Sequence, residues 1–140
     1  MLFGRILIAI NVFLFIALAA ATLIIPETLF AALQVDLLST SAFIEMQVIL
    51  AGSFLGFTVV AGSGLFSDEK VLASLRRLAL INGAWLVIRL ISLIMTSPDA
   101  PWTYYYLIYE AVMVCLLLLA FFLNKHAASR KIFGNIDPTI

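Results

Sequence analysis

Residues 6–25 read ILIAINVFLFIALAAATLII, a run without a single charge, and Pro26 follows it. A helix that crosses a hydrocarbon core of roughly 30 Å needs about 17–25 mainly apolar residues. The run has that length, and Pro26 ends it because proline breaks the helical hydrogen-bond ladder. Three further stretches have the same character. One runs from about Met46 to Phe66. Another runs from about Leu78 to Met95 and contains Arg89. The last runs from about Trp102 to Leu123 and contains Glu110. The expected fold is therefore all-α: one integral membrane four-helix bundle over 1–140, with 124–140 as a tail.

Composition supports a lipid solvent. The chain has 140 residues, 64% hydrophobic and 11% charged, against about 45–50% and about 25% in soluble domains. Net charge is zero, which argues against nucleic acid, whose binding needs a basic footprint. Cys115 is the one cysteine and lies in an apolar run. It is expected to act as a small apolar side chain.

The first stretch also resembles a signal peptide, with Arg5 as its positive start and Ala17-Leu18-Ala19 as a small-residue cleavage site. The apolar run continues to Ile25, longer than a typical signal core, so we expect a retained helix. Orientation follows from lysine and arginine. Arg5, Lys70, Arg76, Arg77, Lys125, Arg130 and Lys131 flank the spans on one side. The connections 26–42 and 96–101 contain no Lys or Arg. Both termini are thus expected in the cytoplasm, the topology of a multi-pass membrane protein.

The connections differ in character. Over 27–38, Leu29, Phe30, Leu33 and Leu37 recur at helical spacing, while Glu27, Gln34 and Asp36 fall elsewhere around the helix. This predicts a short helix lying in the interface, with an ordinary ordered loop as the alternative. Ser39-Thr40-Ser41 is a polar break. Ser67-Asp68-Glu69 reads as a helix start, a capping hydroxyl followed by acids. Residues 96–101 read as a tight proline-bounded turn. Trp102, Tyr104, Tyr105 and Tyr106 then mark a membrane–water boundary.

Three ionisable residues lie in or beside spans: Glu45, Arg89 and Glu110. Such groups cost about 2.5–3.5 kcal/mol at mid-bilayer on insertion scales. Arg89 lies before Met95 on an outward helix, and Glu110 lies after Trp102 on an inward one. At 1.5 Å per residue, both sit roughly 9–12 Å below the outer surface. Opposite charges at matched depth should pair. Asn82, Trp85, Arg89, Ser92 and Thr96 share one helix face, and Tyr106 lies one turn from Glu110. The expected site is an outer-half polar cluster of Glu45, Arg89, Glu110, Tyr106, Ser92 and Gln47. A purely structural Arg89–Glu110 clamp, or an Arg89 that snorkels outward, are the alternatives.

Gly52 and Gly56 form a small-xxx-small pattern that permits close helix approach, either within the bundle or in a homodimer. Asn11 and Asn82 are candidates for a hydrogen bond. His126 is the one histidine and lies beyond the last span, so a haem with two axial histidines cannot be built within the chain. No cysteine/histidine set for zinc, phosphate-binding glycine loop or Ser/His/Asp set is present. We expect no enzyme activity and no cofactor.

Three segments resemble a known family, the bacterial domain of unknown function 4345 proteins, which are small four-helix membrane proteins. Glu45-Met46-Gln47-Val48-Ile49-Leu50-Ala51-Gly52 is similar to that family's Glu-x-Arg-Ala-x-Tyr-Gly-Gly segment. Arg89-Leu90-Ile91-Ser92, with Pro101 beyond it, resembles Gly-Arg-x-x-Ser…Asp-Gly-x-Pro, and Glu110 resembles the family's acid in helix four. Gln47 stands where the family has arginine, Leu50 where it has tyrosine, Ala51 for its first glycine and Ile88 for the glycine before Arg89. The resemblance implies the fold and the cluster, and no established activity. The expected function is a non-enzymatic membrane protein whose cluster binds a small amphipathic or lipid-like ligand or organises assembly. The alternatives are an accessory subunit of a larger complex, and a dimeric proton-coupled transporter using Glu45 and Glu110.

Overall fold

The computed structural model describes residues 1–33, 35, 36, 39–95 and 102–133, with side chains for all of these except 102 and 127–133. Five helices make up the described chain: α1 Leu2–Ile24, α2 Pro26–Ala32, α3 Thr40–Phe66, α4 Asp68–Met95 and α5 Trp102–Phe133. Among the described residues there is no strand. Four segments are long and apolar enough to cross a membrane: Leu2–Ile24, Thr40–Phe66, Asp68–Met95 and Thr103–His126. This is the build of a multi-pass membrane protein. The helices outrun the apolar stretches, because helical hydrogen bonding does not stop where hydropathy falls. α3 starts at Thr40 rather than near Met46, α4 starts at Asp68, where the Ser67-Asp68-Glu69 signal places it and well before the apolar stretch from Leu78, and α5 carries the helix on through 124–133.

The joints have local causes. Ile25 sits at φ −131° and ψ 49° between α1 and α2, as expected for a residue kept out of the helical region by the proline after it. Pro26 then occupies the first turn of α2, where a missing N–H costs nothing. α2 is shorter than the helix expected over 27–38. Leu33 forms a turn, and the Val35 N–H donates to the Phe30 carbonyl at 2.9 Å, a wide turn that closes the helix. Phe30 is buried, with its ring edge-on to Phe43 of α3 at 5.3 Å. Gln34 and Leu37 lie outside the described residues, as does the turn expected over 96–101. The Ser39 hydroxyl accepts from the Ala42 N–H at 3.1 Å, capping α3 as serine does. Ser67 alone, in extended conformation, separates α3 from α4, and Asp68 and Glu69 fill the first turn of α4.

α1 packs chiefly on α3 and α4 chiefly on α5; α3 also packs on α4, and α1 touches α4 and α5. The chain is thus two helix pairs laid together. Arg5, Lys70, Arg76, Arg77 and Lys125 cluster at one end of the helices, the basic end. Tyr104, Tyr105 and Tyr106 lie at the other, the tyrosine end. Burial is concentrated toward the basic end. α4 buries Val71, Ser74, Leu75, Leu78, Ala79 and Asn82, and no residue beyond Asn82. α5 buries Glu110, Met113, Leu117, Ala120 and Asn124, alternating three- and four-residue steps that trace one seam, and none of 103–109.

Two glycines make this end close. A Cβ on Gly64 would lie 2.6 Å from Ser74 Oγ and 2.9 Å from Ile8 Cδ1. A Cβ on Gly4 would lie 2.8 Å from Asn124 Nδ2 and 3.0 Å from Leu75 Cδ1. The intrachain packing expected of Gly52 and Gly56 is therefore corrected. Both are exposed, and an added Cβ at either meets nothing within 4 Å.

Asn11 and Asn82 do meet. The Asn82 Nδ2 donates to Asn11 Oδ1 at 3.2 Å and to the Leu78 carbonyl at 3.0 Å. Asn11 Nδ2 donates to the Leu7 carbonyl at 2.9 Å and to Met113 Sδ at 3.4 Å. Both asparagines are buried. Interhelical side-chain bonds in membranes average about 0.6 kcal/mol, because the dissociated helices find other partners. Asn82→Leu is therefore expected to cost about 0.5–2 kcal/mol in a reversible detergent unfolding titration. A loss of no measurable size would remove this bond from the set that joins α1 to α4.

Candidate functional site

Toward the tyrosine end, the charge pair dominates. Arg89 projects from α4, and Glu110 is the first buried residue among the described side chains of α5. Arg89 Nε donates to Glu110 Oε2 at 2.8 Å, and Arg89 Nη2 donates to Oε1 at 2.7 Å. This two-point geometry suits guanidinium and carboxylate, and charge assistance strengthens each bond. The pair is asymmetric: the Glu110 side chain is 5% exposed and that of Arg89 28%. The carboxylate is sealed while one edge of the guanidinium reaches the surface. Arg89 Cζ also lies 5.3 Å from the centroid of the Tyr106 ring, within reach of a cation–π attraction.

Residues 3–121 match the model of the family described as Domain of unknown function (DUF4345). The chain belongs to this family. No curated protein and no solved structure matches it.

Other residues of the expected cluster sit elsewhere in this DUF4345 protein. Gln47 faces α1, where its Nε2 donates to the Thr22 carbonyl at 3.0 Å; the Thr22 hydroxyl donates to the Leu18 carbonyl at 2.7 Å. Glu45 is exposed on α3 and has no ion-pair partner among the described residues. Glu110 is instead buried and bonded to Arg89 on α4, so the two acids do not share one cluster. Ser92 is exposed and donates its hydroxyl to the Ile88 carbonyl at 2.9 Å. The structure thus joins Arg89, Glu110 and Tyr106, and leaves Glu45, Gln47 and Ser92 outside that group. Thr96 lies outside the described residues.

Beneath the pair is an aromatic layer that the sequence did not announce as one unit. Trp85, one turn below Arg89 on α4, has its ring 5.8 Å from Phe15, 6.1 Å from Phe54 and 5.7 Å from Phe57. Phe15 is fully buried at its centre. The spacing of Trp85 from Arg89 was visible; its partners, spread over α1 and α3, were not. Among the described residues, no group of three or more His, Cys, Asp or Glu is placed to hold a metal.

Side-chain hydrogen bonds divide at this layer. On the basic side they cross between the helix pairs: Asn82 to Asn11, Asn11 to Met113, Ser63 to Ser74 at 3.4 Å and Arg77 to the Val60 carbonyl at 3.3 Å, and the Arg5–Asp68 ion pair at 3.0 Å crosses there too. On the tyrosine side they stay within a pair: Gln47 to Thr22 in α1–α3, Arg89 to Glu110 in α4–α5. Among the described residues, none crosses between the pairs above the aromatic layer.

Proposed function

We propose that this chain is a non-catalytic membrane protein whose tyrosine-end half takes up a small amphipathic, lipid-like molecule beside the Arg89–Glu110 pair. In the same reading its four spans close as a bundle in a bacterial inner membrane, with both termini cytoplasmic. The observation that carries the proposal is the asymmetry of the pair. A guanidinium that served only to clamp α5 would gain by being sealed as Glu110 is. Instead its exposed edge leaves donor capacity where the spans are apolar, and such capacity is costly without an acceptor. The orientation is supported by the basic end, since lysine and arginine collect on the cytoplasmic side.

The test is native mass spectrometry of the full chain from a mild detergent extract. The wild type should carry one lipid-like adduct through detergent exchange, and Arg89→Met/Glu110→Met should carry none. An adduct-free wild type overturns the proposal. A second reading is lateral assembly, favoured by the open surface at Gly52 and Gly56, where a neighbouring helix can approach closely. Dimers in the same spectra, lost on Gly52→Ile/Gly56→Ile, would select it.

A further inference from the structure

We infer that the molecule held at the tyrosine end is a single-chain amphiphile whose head offers an uncharged oxygen acceptor, such as an ester carbonyl or a hydroxyl. This deepens the function proposed above and rests on it.

Three observations set the chemistry of the head. First, the wall supplies donors. Glu110 has both oxygens engaged by Arg89. Arg89 bonds Glu110 through Nε and Nη2 only, so its Nη1 has no acceptor among the described residues, on a side chain that is 28% exposed. An oxygen acceptor on the ligand would take that N–H. Second, the pair is already neutral. An added carboxylate or phosphate would bring one uncompensated charge beside Glu110, and desolvating it is expensive. A neutral oxygen takes the same N–H without that penalty.

Third, the site is deep. Arg89 stands twelve residues beyond Arg77 on one continuous helix, about 18 Å along the axis, in a hydrocarbon core of about 30 Å. With Arg77 at headgroup level, Arg89 lies about 12 Å below the far boundary, below the level of bilayer phosphates. A glycerophospholipid would have to sink its headgroup to reach it, whereas a single-chain ester or alcohol would not. The aromatic layer of Phe15, Phe54, Phe57 and Trp85 is the apolar floor against which its chain rests. The missing cross-pair bonds above that layer let a chain lie between the helix pairs without breaking a hydrogen bond.

Trp85 reports occupancy. The full chain carrying Trp102→Phe keeps Trp85 as its one tryptophan. In neutral micelles it would be titrated with four bromine-bearing probes: methyl dibromostearate, dibromostearyl alcohol, dibromostearate and a phosphatidylglycerol with dibromostearoyl chains. Saturable quenching is expected from the ester and the alcohol at about tenfold lower mole fraction than from either anion, because only the anions must desolvate an uncompensated charge. Arg89→Met/Glu110→Met should abolish that difference while circular dichroism shows the helices intact. Saturable quenching by all four probes alike would overturn the neutral-head inference and leave the proposed function standing, and so would a preference for either anion. No saturable quenching by any probe would overturn both. Should the double methionine variant not fold, Arg89→Lys serves instead: it keeps a charge but loses the planar fork, and an unchanged ester preference in it would overturn the role of the guanidinium.

Discussion

Gly64→Ala is expected to destabilise the chain by about 1–3 kcal/mol, whereas Gly56→Ala is expected to leave stability unchanged or raise it. Helix propensity alone gives both substitutions the same sign, a gain of up to about 1 kcal/mol. Packing separates them. At Gly64 the new methyl would sit 2.6 Å from Ser74 Oγ and 2.7 Å from Ser74 Cβ. Ser74 is short, fully buried and fixed on α4, so relief must come from moving α3 away from α4. That would also strain the Ser63–Ser74 contact. At Gly56 the methyl meets nothing within 4 Å. Reversible unfolding in mixed micelles, scored as the shift in midpoint at constant slope, compares the two. Equal effects of the same sign would mean that α3 and α4 do not close at Gly64.

The charge pair should give the larger loss. Arg89→Ala is expected to cost about 3–5 kcal/mol, because it strands a buried carboxylate. Glu110→Ala should cost less, since the longer arginine already reaches the surface and can snorkel further. The double variant should cost less than the sum of the two, as neither charge then remains to be orphaned. The same unfolding titration measures all three. Additive losses would show that the two side chains do not depend on each other. The order matters too: Glu110→Ala more damaging than Arg89→Ala would contradict the asymmetry from which the function is proposed.

Much of this architecture is legible in the residues, for reasons that differ by element. The four spans follow from length and hydropathy. The meeting of Arg89 and Glu110 follows from depth alone, because helices of fixed rise entering from one boundary bring equal offsets to equal heights. The interior seams are harder to see. In lipid the outward face is as apolar as the inward one, so hydrophobic periodicity does not show which side is buried. Small and polar residues mark it instead: Gly4, Asn11, Ala19 and Thr22 on α1, Ser74 and Asn82 on α4, Asn124 on α5, all buried. Gly52 and Gly56 carry the same kind of mark yet face outward, since a glycine pattern records that close approach is possible, not which helix makes it. Gln47 and Glu45 lie two residues apart in sequence but point differently around α3, and only the placement of α1 decides which finds a partner.

A lipid-like molecule held at the tyrosine end, beside Arg89 and Glu110, can be captured in place. The most direct measurement replaces Tyr106 with a benzophenone amino acid in intact cells, irradiates them and identifies the adduct by mass. The same residue placed at Phe13, an exposed position on α1, reports the surrounding bilayer. One dominant single-chain adduct is expected at position 106 and a mixture of bulk phospholipids at position 13. The same phospholipid mixture at both positions would contradict a held molecule.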